Sequence, residues 1–567
     1  MLKRLTTFSP AFFTPDGDRL NGRTYLLLIL LCMVFFLPGL ATLPPTDRDE
    51  SLFAQTSKQM IETGNYIDIH YKDQLRYKKP VGIYWLQALS VKLLSPHHID
   101  AIWAYRVPSI IGATVAVLMT ASLGTLLFGP MTGLLAAIMM AGCLILNIEA
   151  RLAKTDAALL GSVMVAQYAL ARAYMGYRSA KIGYGIFFAF WTAIAVGILL
   201  KGPIILLMVA STLVWLRLSE KNLKWFMALK PLAGIPYALL LVAPWFAAIA
   251  MHHEGGVFAQ SAEHDLFGKI WQSRDRSFMP AGVYLLAFPF SFFPFSLWAI
   301  LSIPDSWKKR REPGVRFCLG WIIPSWVVFE LAFTKLPHYI MPLYPAIAML
   351  AAKALLDDYP SLKANKRLRW LPPVTAGLWL LAGTILLICA VGLPYIMDQT
   401  WNRGVIATAF LMLIALGVSL MIFTKQLENS VIVMTAASLV FVTNLFVGVL
   451  PYLQHMWVSR EIVHTAESIK PCPGPVQLAS TYNEPSLVFL AGTQTFLDND
   501  GRVLAHALQD NPCRIGVINA RTEPRFLAVF ASSSIKPTAV ANVDGLDAGR
   551  NLKDRLTLYL LPTPNKP

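Results

Sequence analysis

Apolar runs of about 20 residues recur along this chain, separated by short polar loops, the pattern of membrane-crossing helices rather than of a globule around one core. The first run, Tyr25–Leu43, is long enough to span. No small-residue cleavage site follows it, so it reads as a retained helix and not a signal peptide. Further runs place helices at about 102–127, 131–147, 157–175, 183–200, 203–217, 232–250, 281–302, 317–334, 340–357, 373–396, 404–423 and 430–450. With the first helix, the pattern predicts about 13 spans.

Two stretches break this rhythm. One is the long first loop, 44–101, in which Asp47–Thr63 predicts an amphipathic helix lying at the membrane surface. Asp47 and Glu50 have capping-box spacing, Leu52, Phe53, Met60 and Ile61 share a face, and Gly64 is a suitable stop. The other is everything after His455, where Pro475–Ala479, Ser486–Ala491 and Arg514–Asn519 read as short strands with helical pieces between them. The expected fold is therefore a polytopic α-helical membrane protein with a small C-terminal α/β domain, divided as 1–454 and 455–567. The tail holds no Gly-rich phosphate loop, metal-spaced Cys/His set or nucleophile elbow.

Composition agrees with the pattern. Of 567 residues 55% are hydrophobic and 14% charged, with mean hydropathy +0.52, against about 25% charged in soluble proteins. The net charge of +16 does not call for nucleic acid, because Lys and Arg gather in cytoplasmic loops of membrane proteins. Lys3, Arg4, Arg19 and Arg23 put the N-terminal arm in the cytoplasm. The predicted inner loops carry Arg178 and Lys181, then Arg217, Lys221, Lys224 and Lys230, then Lys308–Arg311 and Arg316, then Lys363, Lys366, Arg367 and Arg369. All fall on one side, and an odd helix count puts the tail outside. Cys472 and Cys513 lie in that tail and can pair if it faces an oxidising compartment, although spacing alone does not show proximity.

The outer face collects the candidate chemistry. Asp49 and Glu50 open the first-loop helix as candidate catalytic carboxylates, or as complements to its dipole. Asp156, at the end of EARLAKTD, is a second candidate carboxylate or an N-cap, with Glu149 and Arg151 as a supporting ion pair. Lys79 with Arg76, Lys201 before Gly202, and Tyr339 suit a phosphate, or snorkel and line the interface. Tyr77, Tyr84, Lys335 and His264 are candidates to contact an acceptor or a sugar. His252, His253, Glu254, Glu263, His264 and Asp265 form a conceivable metal loop, but their spacing fits no strong metal pattern.

These segments also resemble a known family. RDES at 48–51, GNY at 64–66, RYKKPVGIYWLQALS at 76–90, EARLAKTD at 149–156 and KLPHYIMPLYP at 335–345 are similar to membrane glycosyltransferases of the GT-C class. The nearest likeness is to the bacterial lipid A aminoarabinose transferases, with protein O-mannosyltransferases more distant. The resemblance implies a polyprenyl (undecaprenyl) phosphate sugar donor, and inverting transfer to lipid A or lipopolysaccharide on the periplasmic face of the inner membrane. Asp49 and Asp156 take the positions of the family's two carboxylates, Lys79 and Tyr339 those of its donor-phosphate ligands. Lys78 stands where relatives often carry an acid that, with a loop histidine similar to His264, helps bind a metal; a divalent metal is therefore disfavoured at this site, and no cofactor is certain. Two alternatives remain: a protein O-glycosyltransferase using the same donor class, and a transporter or flippase of lipid-linked sugars. The second is disfavoured by few mid-helix charges and no clear inverted repeat.

Overall fold

The computed structural model describes residues 19–176, 183–252, 280–423, 427–547 and 552–562. Among these, 8 helices are long and apolar enough to cross a membrane. A ninth is added if Pro130–Ala141 and Leu144–Ala150, bent by 62°, form one span. The chain is a multi-span membrane protein, mostly helical. Its helices are apolar around most of their circumference, so they bury one side against neighbours and leave large aliphatic side chains such as Leu232, Leu286 and Met421 pointing outward, as a lipid solvent allows.

Small residues set one close helix contact. A Cβ at Gly112 would collide with the backbone at Ala157 and Ala158, and one at Gly161 would stand 2.8 Å from the Gly112 carbonyl oxygen. Ile102–Phe128 and Asp156–Gly176 therefore approach backbone to backbone. That approach fixes the end of the second helix on which Asp156 stands.

The first loop folds as two helices and a hairpin. The first-loop helix spans Asp49–Thr63 and ends where expected: Gly64, at φ +72°, donates its amide to the Met60 carbonyl at 3.0 Å. Its N-terminus departs from the expected capping box. The cap is Arg48, and Glu50 accepts from Thr46 N at 2.8 Å while Asp47 turns away to the C-terminal region. Strands β1 (His70–Tyr71) and β2 (Gln74–Leu75) pair antiparallel. A second helix, Gly82–Leu94, packs Gly82 against the backbone of Leu199 and leaves Leu89 and Leu93 exposed.

After residue 455 the chain builds a five-stranded sheet from β3 (Gln477–Ser480), β4 (Phe496–Leu497), β5 (Arg514–Asn519), β6 (Thr538–Asp547) and β7 (Leu552–Leu560), in the order β4-β3-β5-β7-β6. β3 is parallel to β4 and β5, and β7 is antiparallel to β5 and β6. One face buries Ile462, Leu478, Val517 and Leu558, and the other Leu504, Leu508, Ile518 and Phe526. A disulfide joins Cys472 to Cys513, with Cα atoms 5.5 Å apart. The segment expected as a strand at Ser486–Ala491 is instead a helix, Pro485–Ala491. Its six apolar-rich positions carry no period, and Pro485 at the first helical position decides for helix.

Candidate functional site

Ionisable side chains gather where several helices end together. Asp156 is the first residue of Asp156–Gly176 and Lys201 the last of Tyr184–Lys201, positions that suit a negative and a positive charge respectively. His338 and Tyr339 come from a 3₁₀ turn, Pro337–Leu343, and Glu149 from the bent helix Leu144–Ala150. They form a chain in which carboxylates alternate with nitrogen bases. Lys201 Nζ lies 2.5 Å from Asp156 Oδ1, which lies 3.6 Å from His338 Nε2. His338 Nδ1 is 3.4 Å from Glu149 Oε1, which accepts from Lys154 Nζ at 3.0 Å. The Lys201 ammonium also stands 4.9 Å over the Tyr339 ring, and His338 packs edge-on against that ring at 4.9 Å. In the connecting loop, burial opposes the Lys154 charge, but the Glu149 and Asp156 carboxylates outweigh it and hold the ammonium above its ordinary pKa.

The first loop closes over this array. Asp49 is exposed and close enough to act electrostatically on Tyr84, Lys154 and His338. Arg76 donates to the Tyr84 hydroxyl at 3.3 Å, with its guanidinium 5.9 Å over the Phe53 ring. Tyr84 is fully buried; burial pushes its hydroxyl up to about 12, against the pull of Arg76. Lys79 is half-buried just before this helix, and Lys78 is exposed.

Other expected residues stand elsewhere. Glu50 is buried: Oε1 accepts from Arg106 Nε at 2.7 Å and Ala153 N at 3.0 Å, Oε2 from Arg106 Nη2 at 3.1 Å and the Thr46 hydroxyl at 2.9 Å. Arg106 completes its own set on the carbonyls of Leu40, Leu43 and Pro44. Tyr77 is buried and donates to Asp68 Oδ1 at 2.9 Å. Lys335 is buried and donates to the Ala332 carbonyl at 2.8 Å. His264, with His253, Glu254, Glu263 and Asp265, lies outside the described residues, and His252 Nδ1 is 3.5 Å from Asp68.

The expected Glu149–Arg151 pair does not form. Arg151 donates to the carbonyls of Phe35, Pro38 and Asn147, and Glu149 turns to Lys154 and His338. His338 and Lys154 were missed in the sequence, although each adjoins a flagged residue: Tyr339, and Asp156 two positions on. Among the described residues, no group of three or more His, Cys, Asp or Glu could hold a metal ion.

A membrane-embedded helical bundle with paired charges at its rim and a charged loop above it defines a class. The chain resembles the GT-C membrane glycosyltransferases, as its first loop implied. A family model described as dolichyl-phosphate-mannose-protein mannosyltransferase matches residues 78–247. An undecaprenyl phosphate-alpha-4-amino-4-deoxy-L-arabinose arabinosyl transferase of Enterobacter sp. (strain 638) is 27% identical over 54% of this chain and 54% of its own length. The protein of that name from Pectobacterium carotovorum is 26% identical over 67% of each chain. The chain thus spans about half to two thirds of the length of these curated relatives. The fold is that of ArnT from Cupriavidus metallidurans, solved bound to undecaprenyl phosphate. The TM-score is 0.70 at 17% identity, covering 94% of this chain and 97% of that one.

Proposed function

We propose that this protein is an inverting membrane glycosyltransferase. It takes a sugar from a polyprenyl phosphate, undecaprenyl in bacteria, and passes it to lipid A or lipopolysaccharide at the periplasmic face of the inner membrane. The observation that carries this reading is the contrast between its two carboxylates. Asp49 is open to solvent, whereas Asp156 is committed to Lys201 at 2.5 Å. An open carboxylate near an array that holds cations is what direct displacement at an anomeric carbon needs. The acceptor oxygen attacks the anomeric carbon, the bond to the phosphate oxygen breaks, and the leaving lipid phosphate carries away the electron pair.

Lys201, Arg76, Lys79 and Tyr339 stabilise the charge on that leaving phosphate. Asp156 keeps Lys201 in position over Tyr339. Asp49 orients the acceptor, and takes its proton if the acceptor is a hydroxyl; an acceptor phosphate is already anionic. Tyr84 holds Arg76 in place through its hydroxyl. Glu50 and Tyr77 support the loop through Arg106 and Asp68. The names of the similar aminoarabinose transferases support this donor, and 4-amino-4-deoxy-arabinose as the sugar.

The proposed layout has thirteen crossings. Four helices join the more apolar ones: Gly22–Phe36, Asp156–Gly176, Ile204–Glu220, and Val283–Ser291 continued by Ser296–Leu301. The N-terminus is then cytoplasmic, and the unit from 455 onward is a periplasmic α/β domain, as its disulfide favours.

Protein as acceptor is the second reading, favoured by the name of the matching family model. A transporter is disfavoured because the paired charges lie at one end of the helices, not along a path through them. Purified protein in detergent, with polyprenyl-phosphate-linked sugar and lipid A, tests the proposal: transfer needs no sealed vesicle. Asp49→Asn is expected to lower turnover about 10²–10⁴-fold with the protein still inserted and monodisperse; unchanged turnover rules the assignment out.

A further inference from the structure

Asp49 follows a residue whose backbone needs outside support. Arg48 adopts φ +62°, ψ −110°, a conformation that a residue with a Cβ holds only when its surroundings impose it. The two flanking acids supply that constraint from opposite directions. Glu50 is fixed below by Arg106 and the Ala153 amide. Asp47 reaches up to the C-terminal unit: Ser486 Oγ donates to Asp47 Oδ1, and Tyr482 OH to Oδ2 at 3.3 Å. Ser486 is itself steadied by the Ser459 hydroxyl at 2.6 Å.

The same segment is fastened along the rest of the first-loop helix. Gln55 Nε2 donates to Thr493 Oγ1 at 2.8 Å, Thr493 to Glu62 Oε2 at 2.7 Å, and Lys58 Nζ to the Phe489 carbonyl at 3.0 Å. Lys72 Nζ donates to the Thr495 carbonyl at 2.7 Å. Phe489 is fully buried with Ala54, Val91 and Tyr105, and meets the Tyr105 ring edge-on at 5.4 Å. The outer contacts suffice to dock the C-terminal unit. The two bonds to Asp47 act on the constrained turn itself.

We infer that Tyr482–Thr495 is a latch by which the C-terminal unit aims the Asp49 carboxylate, with Ser486 and Tyr482 as positioning residues. The catalytic consequence rests on the transferase reading of Asp49; the mechanical one does not. The test compares wild type, Ser486→Ala/Tyr482→Phe and Asp49→Asn in nanodiscs. It measures kcat and donor KM with a polyprenyl-phosphate-linked sugar, and amide hydrogen exchange in the peptide covering 44–53.

The double variant keeps Phe489, Lys58 and Lys72, so the unit stays docked. Its kcat is expected to fall about 10–100-fold, with donor KM unchanged, faster exchange at Asp47–Glu50 and undiminished protection in β5. Full turnover in the double variant, while Asp49→Asn is inactive, overturns the latch alone. Unchanged exchange at Asp47–Glu50 also overturns it, since the Arg48 turn would then hold its shape without the two bonds to Asp47. An active Asp49→Asn removes the proposed role of Asp49 and the catalytic half of this inference with it.

Discussion

Asp49 and Asp156 are the same residue type placed in opposite circumstances, and their proposed roles follow from that difference. Asp156 is bound by Lys201 and faced by His338, so it cannot also receive a proton from an acceptor without giving up a cation. Lys201 is the residue whose loss separates these roles. Lys201→Ala is expected to lower turnover about 10²–10³-fold, by removing charge from the leaving phosphate. Lys201→Arg should recover part of it, because the charge persists in a different shape. Steady-state kinetics on the purified variants checks this. An alanine variant as fast as wild type would show that the phosphate is gripped elsewhere. His338 and Lys154 escaped the sequence reading for a physical reason. Their meaning depends on Glu149, which Lys154 meets through the turn after Ala150 and His338 only across packed helices.

At the scale of elements, the buried Glu50–Arg106 pair ties the first-loop helix to the Ile102–Phe128 helix. Burial alone would raise the Glu50 pKa, but Arg106 and the amides of Thr46 and Ala153 outweigh it and lower the carboxyl below 4.5. The folded pKa is below the unfolded one, so this stabilisation is complete above about pH 4.5 and is lost as pH falls through the folded pKa. Thermal unfolding in detergent should show a midpoint that drops in acid, and Glu50→Gln should flatten that dependence. Glu50→Ala leaves Arg106 buried without its carboxylate, at a cost of about 3–5 kcal/mol. A midpoint equal to wild type would mean that water or a neighbour replaces the pair. Gly64 as helix stop was legible because a glycine adopts φ +72° without steric cost. The helix at Pro485–Ala491 was not, since an apolar run that short fits either strand or helix.

For the whole molecule, the proposed sidedness rests on the run of basic loops read from the sequence, the charged site at the helix ends and a disulfide in the C-terminal unit. An impermeant maleimide on intact spheroplasts tests it, in a background with Cys389 replaced by Ser. Ser534→Cys, on an exposed position of the C-terminal unit, should label without lysis, and Lys221→Cys only after permeabilisation. The reverse pattern would put Asp49 and Lys79 on the cytosolic side and end the proposal.

The sequence by itself determined the multi-span membrane class and singled out residues that the structure brings together at the helix ends. Hydrophobic length and charge side are local properties that any chain in a bilayer must satisfy. Asp156, Lys201 and Tyr339 were already visible there as charged or aromatic residues at helix ends. Tertiary structure alone decided which acid stays open and which is spent. Glu50 and Asp49 are adjacent in sequence, yet one faces Arg106 and the other faces solvent. The reason is geometric: partners far apart in the chain, such as Asp47 with Ser486 or Glu149 with His338, meet only once the helices have packed, and no local spacing encodes that meeting.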